Sequence, residues 1–303
     1  MYAAGAIYRR MVPPWVRGPL WRLRTFGWKS AVARAHLALG QPVVRARSGD
    51  TQLYVDLRDS GVGRYLYFGG TFEPSETAFI GRHLRPGMSM IDVGANLGYH
   101  TTRAAQLVGS SGRVLAIEPD PYNFALLMRN VRANGLDNVL AVNVALGEQP
   151  GRATLFRSPG NLGDHRLFAS GNERREAVEV PVVRLDDLCR EHAIERVDLV
   201  KMDVQGYEPL VLEGMSRTLA DNPDVLVVTE FWPHGMEAAG SSVQTFFEAF
   251  SALGFAAYLL DSGRCTRRVD LDAALRALPE FDSCHPDYCS LTLVLARKQP
   301  GSP

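Results

Sequence analysis

The chain has 303 residues, of which 46% are hydrophobic, and its 33 basic residues balance its 33 acidic residues. This length fits one large α/β domain with an extension, or two small domains, and the hydrophobic fraction excludes general disorder. The zero formal net charge gives no support for a nucleic-acid partner, and we predict none. No apolar run approaches the roughly 18 residues that a bilayer span requires, so we expect a soluble cytoplasmic protein.

Residues 1–42 form a basic, tryptophan-rich extension. The first 49 residues contain nine Arg and Lys and no acidic residue. Three of the four tryptophans of the chain also lie in this segment: Trp15, Trp21 and Trp28. Three interpretations stay open. The extension is a cap that packs on the domain, a surface for an anionic acceptor or partner, or a peripheral contact of residues 1–40 with the inner face of a membrane.

We predict one domain over residues 43–298 and a short tail over residues 299–303. Val43 to Leu57 has the pattern of a β-hairpin around a Ser-Gly-Asp turn. Gly61 to Gly70 is predicted to be a loop, and a helix is predicted to follow it and reach His83. This hairpin and helix occupy residues 43–85, ahead of a core over residues 86–298.

The core is predicted to start with a strand, a glycine turn and a helix. Met90 to Val93 is a short apolar run typical of a strand buried on both faces. The turn Gly94-Ala95-Asn96-Leu97-Gly98 follows, and its glycines let the backbone turn sharply and approach a ligand. A second apolar strand ends in Glu118, about 20 residues past the loop, where an acidic residue accepts hydrogen bonds from a ribose diol.

The residues of this loop distinguish between two possible cofactors that contain a nucleoside. Asn96 occupies the position where a dinucleotide fingerprint has its central glycine, and Asp92 precedes the loop. A carboxylate there favours a ligand with a cationic end over a pyrophosphate, because two anions repel each other. S-adenosylmethionine has such an end, so we predict this cofactor. An NAD-binding oxidoreductase and a non-catalytic nucleotide-binding protein are the alternatives.

Polar residues follow the later strands of the predicted core. Asn143 ends a third strand, Asp203 follows the fourth, and Glu230 and His234 follow the fifth. Open α/β sheets bind ligands at the carboxyl ends of their strands. The polar connection over residues 158–177 is longer than most, and we expect it to close over the acceptor.

Several sequence blocks, taken in order, carry a family resemblance: IDVGANLGYHT, IEPDPYNFALLMRNVRAN, NVALGE, RLDDL and VDLVKMDVQGYEPLVLEG. They resemble the FkbM family of S-adenosylmethionine-dependent methyltransferases, over roughly Val43 to Lys298. The resemblance implies an α/β class I methyltransferase fold, with helices on both faces of a Rossmann-like seven-stranded sheet. The last strand, Ser290 to Ala296, is then antiparallel and inserted between the fifth and sixth, and the extension with its helix and hairpin precedes the core.

The resemblance also implies O-methylation, and it leaves the acceptor open because known acceptors of the family include macrolide hydroxyls and sugars. We expect a small-molecule hydroxyl of a glycan, glycolipid or secondary metabolite. A nucleic-acid base methyltransferase is disfavoured, since no proline pair follows Asp203. By the same resemblance, Tyr67 and Glu73 lie near the site. The sequence does not indicate an oligomeric state.

These observations predict two sets of site residues. Asp203, His234 and Glu230 compete for the role of general base, and imidazole titrates nearest to neutral pH. Asp203 and Glu230 also offer oxygen ligands to Mg²⁺, so a divalent metal is optional and no dedicated metal site is predicted. The four cysteines lack zinc-site spacing and are expected to be reduced. The predicted cofactor-binding residues are Asp92, Gly94, Ala95, Asn96, Gly98, Glu118, Pro119, Asn143, Ala145 and Asp203.

Overall fold

A computed structural model of the protein describes residues 19–169, 175–278 and 289–300. The helices are α1 (Pro19–Ala38), α2 (Val62–Gly69), α3 (Pro74–His83), α4 (Tyr99–Val108), α5 (Pro121–Ala133), α6 (Leu185–Glu191), α7 (Glu208–Gly214), α8 (Ser216–Asp221), α9 (Pro233–Ala238), α10 (Val243–Ala252) and α11 (Leu271–Ala277). The strands are β1 (Val43–Ser48), β2 (Thr51–Asp56), β3 (Ser89–Val93), β4 (Arg113–Ile117), β5 (Val139–Val142), β6 (Ala145–Leu146), β7 (Gly151–Arg157), β8 (Glu176–Val183), β9 (Leu199–Met202), β10 (Leu226–Phe231), β11 (Ala256–Asp261), β12 (Arg264–Val269) and β13 (Leu291–Ala296).

A central sheet organises the chain, with the strand order β12-β11-β13-β10-β9-β3-β4-β5. The five strands from β10 to β5 pair in parallel. In contrast, β13 runs antiparallel to both of its neighbours, β10 and β11. The predicted α/β class and the insertion of an antiparallel last strand between the fifth and sixth strands are therefore confirmed.

The sheet has one strand more than the seven that the family resemblance implies. The additional strand is β12, which pairs antiparallel with β11 at the edge of the sheet. Arg264, Arg267 and Arg268 on this strand are exposed. An edge strand covered by charged side chains has little hydrophobic alternation, which explains why the sequence pattern did not reveal it.

The two faces of the sheet pack against different helices. Met90, Leu199 and Val228 join a buried cluster with residues of α3 and α4, whereas their neighbours Ile91 and Val200 join a cluster with residues of α6, α7 and α10. Because side chains alternate along a strand, positions two residues further on point to the same face. This places Asp92, Lys201 and Glu230 together on the α3–α4 face.

The N-terminal hairpin of β1 and β2 packs beside the glycine loop between β3 and α4. Residues of β2, α2 and the loop share one buried cluster, which includes Leu53, Val62, Leu66 and Leu97. The predicted loop over Gly61 to Gly70 is wrong, because α2 occupies most of it. The glycines at its ends favoured a loop, but burial of Val62 and Leu66, four residues apart, stabilises a helical turn.

The N-terminal extension, the length of the helices and the state of the cysteines bear on three further predictions. Residues 1–18 of the predicted extension lie outside the described residues, and α1 occupies Pro19–Ala38 of the remainder. The predicted membrane contact of residues 1–40 stays a prediction. None of the helices in the described parts of the chain is long and apolar enough to cross a membrane. Cys189 and Cys265 are free, whereas Cys289 is disulfide-bonded, which corrects the expectation of reduced thiols for that residue.

Candidate active site

The turn between β3 and α4 is held against two neighbouring strands. The backbone N–H groups of Gly94 and Ala95 both donate to the Ile117 carbonyl, at 3.0 Å each. Gly94 has a φ of +78°, and a Cβ at this position would lie 1.9 Å from the carbonyl oxygen of Asp203. Only glycine fits here, because its lack of a Cβ lets the backbone of the turn approach the backbone of the segment after β9.

Glu118 lies at the end of β4 with its carboxylate facing the turn. One oxygen accepts the N–H of Asn96 at 2.7 Å, and the other accepts the N–H of Asp120 at 2.9 Å. Burial raises the pKa of Glu118 to about 8, although these two hydrogen bonds lower it. Each carboxylate oxygen retains a lone pair for a further donor.

A cavity of about 280 Å³ runs along the carboxyl edge of the sheet. Asp203, Asp92 and Glu118 line it from β9, β3 and β4, and an apolar slot follows on the β5 side. A second cavity of about 240 Å³ opens above β9, β10 and β13. The residues that line both cavities are Glu73, Lys201, Asp203 and Glu230.

Asp92 lines the first cavity and has one unpaired carboxylate oxygen. The residue is 1% exposed, and its Oδ2 accepts a hydrogen bond from the Thr101 hydroxyl at 2.6 Å. Its Oδ1 is buried and has no hydrogen-bond partner among the described residues. A buried acceptor without a donor is costly, so this oxygen is suited to a donor on a ligand.

Lys201 forms the centre of an ionic cluster where the two cavities meet. Its ammonium lies 3.2 Å from Asp203 Oδ2 and 3.5 Å from Glu73 Oε2, and Glu73 also pairs with His100 Nε2 at 2.8 Å. Burial opposes the charge of Lys201, but Asp203 and Glu73 outweigh it and raise the lysine pKa. Burial likewise opposes the charge of Glu73, yet Lys201 and His100 lower the pKa of Glu73 to about 2.

Gln205 joins the two carboxylates that follow β9 and end β10. Its side-chain amide donates to Asp203 Oδ1 at 2.7 Å and to Glu230 Oε2 at 3.1 Å. Ser290 donates to the other oxygen of Glu230 at 2.7 Å. Burial, followed by the nearby charges of Asp203 and Glu208, raises the pKa of Glu230 well above its ordinary value.

The structure brings most of the predicted site residues to one cavity. Nine of the predicted residues line it: Asp92, Gly94, Ala95, Asn96, Glu118, Pro119, Ala145, Asp203 and Glu230. Glu73, placed near the site by resemblance, also lines it, whereas Tyr67 contacts His36 instead.

Three predicted site residues do not line the cavity, and each has another position. A Cβ on Gly98 would lie 2.6 Å from Leu127, so this glycine allows α4 and α5 to pack closely. The amide of Asn143 donates to the carbonyls of Glu118 and Pro119 at 2.7 and 3.0 Å, so it holds the turn after β4. His234 is exposed on α9.

Lys201, His100 and Gln205 line the cavity although no role in the site was predicted for them. A signal for Lys201 does exist, because it stands two residues before Asp203 and so shares its side of the strand. Within the described residues, no group of three or more His, Cys, Asp or Glu side chains is arranged to hold a metal ion.

The strand order and the carboxylate after the second core strand define a Rossmann-like class I methyltransferase fold. Residues 92–256 match the family model described as the Methyltransferase FkbM domain. This match spans more than half of the 303 residues, and the chain belongs to the FkbM methyltransferase family.

Three curated relatives illustrate the range of this similarity. The chain is 28% identical over 191 residues to the 2-O-methyltransferase NoeI of Sinorhizobium fredii, and this alignment covers 52% of this chain and 77% of that protein. It is 31% identical to the 31-O-demethyl-FK506 methyltransferase FkbM of Streptomyces tacrolimicus, over 45% of this chain and 62% of that protein. It is 30% identical to the hexuronic acid methyltransferase AglP of Haloferax volcanii, over 45% of this chain and 53% of that protein.

A solved structure of Methyltransferase FkbM from Methylobacillus flagellatus aligns at 18% identity with a TM-score of 0.40, over 78% of this chain and 55% of that one. The family membership makes this chain an S-adenosylmethionine-dependent methyltransferase. The predicted family and cofactor are therefore confirmed.

Proposed function

We propose that the chain methylates a hydroxyl group of a sugar in a glycan or glycolipid. The observation that carries this proposal is the junction of the two cavities, where the cofactor side and the acceptor side share Asp203, Glu230 and Lys201. A 2-O-methyltransferase and a hexuronic acid methyltransferase among the relatives support a sugar acceptor.

The residues of the first cavity fit S-adenosylmethionine. The unpaired Oδ1 of Asp92 is an acceptor for the α-ammonium, and the free lone pairs of Glu118 are acceptors for the ribose diol. These two carboxylates lie on adjacent strands, β3 and β4, so one ligand reaches both. When bound, the cofactor supplies a methyl group that its sulfonium has already activated.

Asp203 is the residue we assign as general base. It lines both cavities, and its two oxygens are held by Lys201 and Gln205. Burial and the charge of Asp203 raise the pKa of Glu230 well above its ordinary value, so we assign Asp203 rather than Glu230 as the carboxylate that accepts the proton of the hydroxyl. Two carboxyl groups in different environments thus take different roles.

The second cavity gives the acceptor its orientation. It is lined by the hydroxyl residues Ser290 and Thr292 and by the carboxyl group of Glu230. Hydroxyl and carboxyl groups bind a polyhydroxylated ring through several hydrogen bonds. Holding the acceptor oxygen in line with the methyl group supplies several kcal/mol of the barrier.

Replacing the proposed base tests this mechanism. We expect Asp203→Asn to lower the rate of methyl transfer roughly 10²- to 10⁴-fold, because the hydroxyl must then lose its proton to water. Because the substitution also removes a charge partner of the buried Lys201, thermal unfolding should move to a lower temperature, while the chain should still fold and bind S-adenosylhomocysteine. The matched control is Asp224→Asn, an exposed carboxylate that pairs with Lys298.

The same assay separates the other candidates. His234→Ala should retain its rate, since His234 lies on the surface, and EDTA should leave the rate unchanged. Transfer of labelled methyl to nucleotide sugars, lipid-linked sugars and macrolides then identifies the acceptor. Labelling of a macrolide alone would refute the sugar proposal, and an unaltered rate in Asp203→Asn would refute the general-base assignment.

A further inference from the structure

His165 is a cavity residue whose ring orientation and proton position are fixed by the backbone. It lies in the connection after β7, and its Nδ1 accepts a hydrogen bond from the N–H of Ser158 at 3.0 Å. An imidazole nitrogen that accepts a hydrogen bond carries no proton, so the proton of the neutral ring is on Nε2. Burial is the main cause that lowers the pKa of His165, which favours this neutral form.

The Nε2–H group of His165 is a buried donor without an acceptor. The atom is shielded from solvent and has no hydrogen-bond partner among the described residues. His165 itself lines the first cavity. Since the great majority of buried polar groups are hydrogen-bonded, an unpaired donor on a residue that lines a cavity is suited to an acceptor on a ligand.

The position of His165 identifies which part of the cofactor it meets. Asp120, two residues after Glu118, is among the charges that act on the ring. The apolar side chains that line the same cavity are Val144, Leu146, Leu155 and Leu167, and the amide residues Asn123 and Asn161 line it as well. If Glu118 binds the ribose and Asp92 the ammonium, this apolar slot on the β5 side takes the flat base.

We propose that His165 donates a hydrogen bond from Nε2 to a ring nitrogen of the cofactor's adenine. His165 is then a specificity residue for the base, and the inference rests on the cofactor placement proposed above. The cofactor's other acceptors, its carboxylate and ribose oxygens, belong to the parts of the ligand that Asp92 and Glu118 bind. The adenine ring nitrogens are the acceptors that remain for the slot.

The variant His165→Asn separates this contact from the structural role of the ring. The asparagine Oδ1 stands near the position of Nδ1 and keeps an acceptor for the Ser158 N–H, but no donor replaces Nε2–H. The experiment measures the dissociation constants of S-adenosylhomocysteine and its 1-deaza, 3-deaza and 7-deaza analogues, each of which lacks one ring nitrogen. The control is His192→Asn, a histidine whose carbonyl contacts Arg113 at the opposite edge of the sheet.

We expect one of the three analogues to bind the unmodified chain roughly 5- to 100-fold more weakly than S-adenosylhomocysteine, the effect of leaving a buried donor unpaired. In His165→Asn, S-adenosylhomocysteine should bind more weakly by a similar factor. The sensitive analogue should show no further loss there, because the two changes remove the same contact.

Equal binding of all three analogues to the unmodified chain would overturn the His165 proposal and leave the proposed function intact. Unchanged affinity of His165→Asn for S-adenosylhomocysteine would do the same. If the unmodified chain did not bind S-adenosylhomocysteine, the cofactor placement itself would be wrong.

Discussion

At the scale of single residues, Glu118 links cofactor binding to pH. Its carboxyl group has a pKa of about 8 because it is buried, and a ribose diol donates hydrogen bonds to the ionised form. Binding therefore favours loss of the proton, and affinity rises as the pH rises through the pKa. Between about pH 7 and about pH 9 the ionised fraction, and with it the affinity for S-adenosylhomocysteine, should increase about tenfold.

Glu118→Gln is the control for this pH dependence. Glutamine keeps an acceptor for the N–H of Asn96 or Asp120 but does not titrate, so the variant should bind weakly with a flat pH profile. Isothermal titration calorimetry between about pH 7 and about pH 9 measures the dissociation constant of S-adenosylhomocysteine for the unmodified chain and for the variant. A flat profile in the unmodified chain would show that Glu118 does not bind the cofactor as an ionised carboxylate.

Four predicted site residues that line the first cavity share one property, which is their place at the carboxyl end of a core strand. Asp92, Glu118, Asp203 and Glu230 reach the cavity because parallel strands align these ends along one edge. Asn143 was predicted by the same rule, but its amide turns back to the chain. Strand position fixes where a side chain starts, whereas its direction depends on partners that the sequence does not reveal.

At the level of elements, Asn130 of α5 and Asn134, the residue that caps this helix, take the place of a neighbouring strand for the hairpin. Asn130 accepts from the Tyr54 N–H at 2.6 Å and donates to the Tyr54 carbonyl at 3.1 Å, and Asn134 makes the same pair of bonds with Gln52. Asn130 also donates to the Leu97 carbonyl of the cofactor turn at 2.7 Å. One side chain thus joins the edge of β2, α5 and the turn.

Replacing Asn130 by Ala should lower the free energy of unfolding by about 2–4 kcal/mol, because it leaves several buried backbone groups without partners. Chemical denaturation measures this change. Asn134→Ala should cost less, since Asn134 is partly exposed and water replaces its bonds. Equal losses in the two variants would show that burial around Asn130 does not determine the cost.

The element predictions failed where local signals and tertiary burial disagree. The strands of the parallel core were predicted because their apolar runs are continuous. Helix α2 was missed because glycines surround it, and β12 was missed because its side chains are charged and exposed. Both α2 and β12 are stabilised by packing or pairing with a neighbouring element. The sequence of one segment does not reveal which element will lie beside it.

At the scale of the whole molecule, the backbone of Leu162 connects three parts of the chain. Its N–H donates to Asp59 at 3.1 Å, and its carbonyl accepts from the side chains of Asn96 and Asn123 at 3.0 and 2.9 Å. The segment before α2, the cofactor turn and α5 therefore all hold the connection after β7. Asn161, Leu162 and Gly163 line the first cavity together with Asn96, so this part of the predicted acceptor loop faces that cavity.

Asp59 is the residue on which this arrangement depends. It is 1% exposed and also accepts the N–H groups of Gly61 and Gly63, at 2.9 and 2.6 Å. Asp59→Asn keeps one acceptor oxygen but replaces the other with a donor that opposes these N–H groups. We expect affinity for S-adenosylhomocysteine to fall roughly tenfold, since each lost charge-assisted hydrogen bond is worth about 1.5–3 kcal/mol and the connection must then be ordered on binding.

Hydrogen exchange of residues 158–169 shows whether loosening of the connection after β7 causes the loss of affinity in Asp59→Asn. In the unmodified chain these amides should be protected already without ligand, whereas in Asp59→Asn they should exchange faster and regain protection only when S-adenosylhomocysteine binds. Asp50→Asn, an exposed carboxylate in the hairpin turn, is the matched control. Faster exchange in Asp59→Asn with an unchanged affinity would contradict the coupling, because a loop that covers the cofactor cannot loosen without cost to a ligand that it helps to hold.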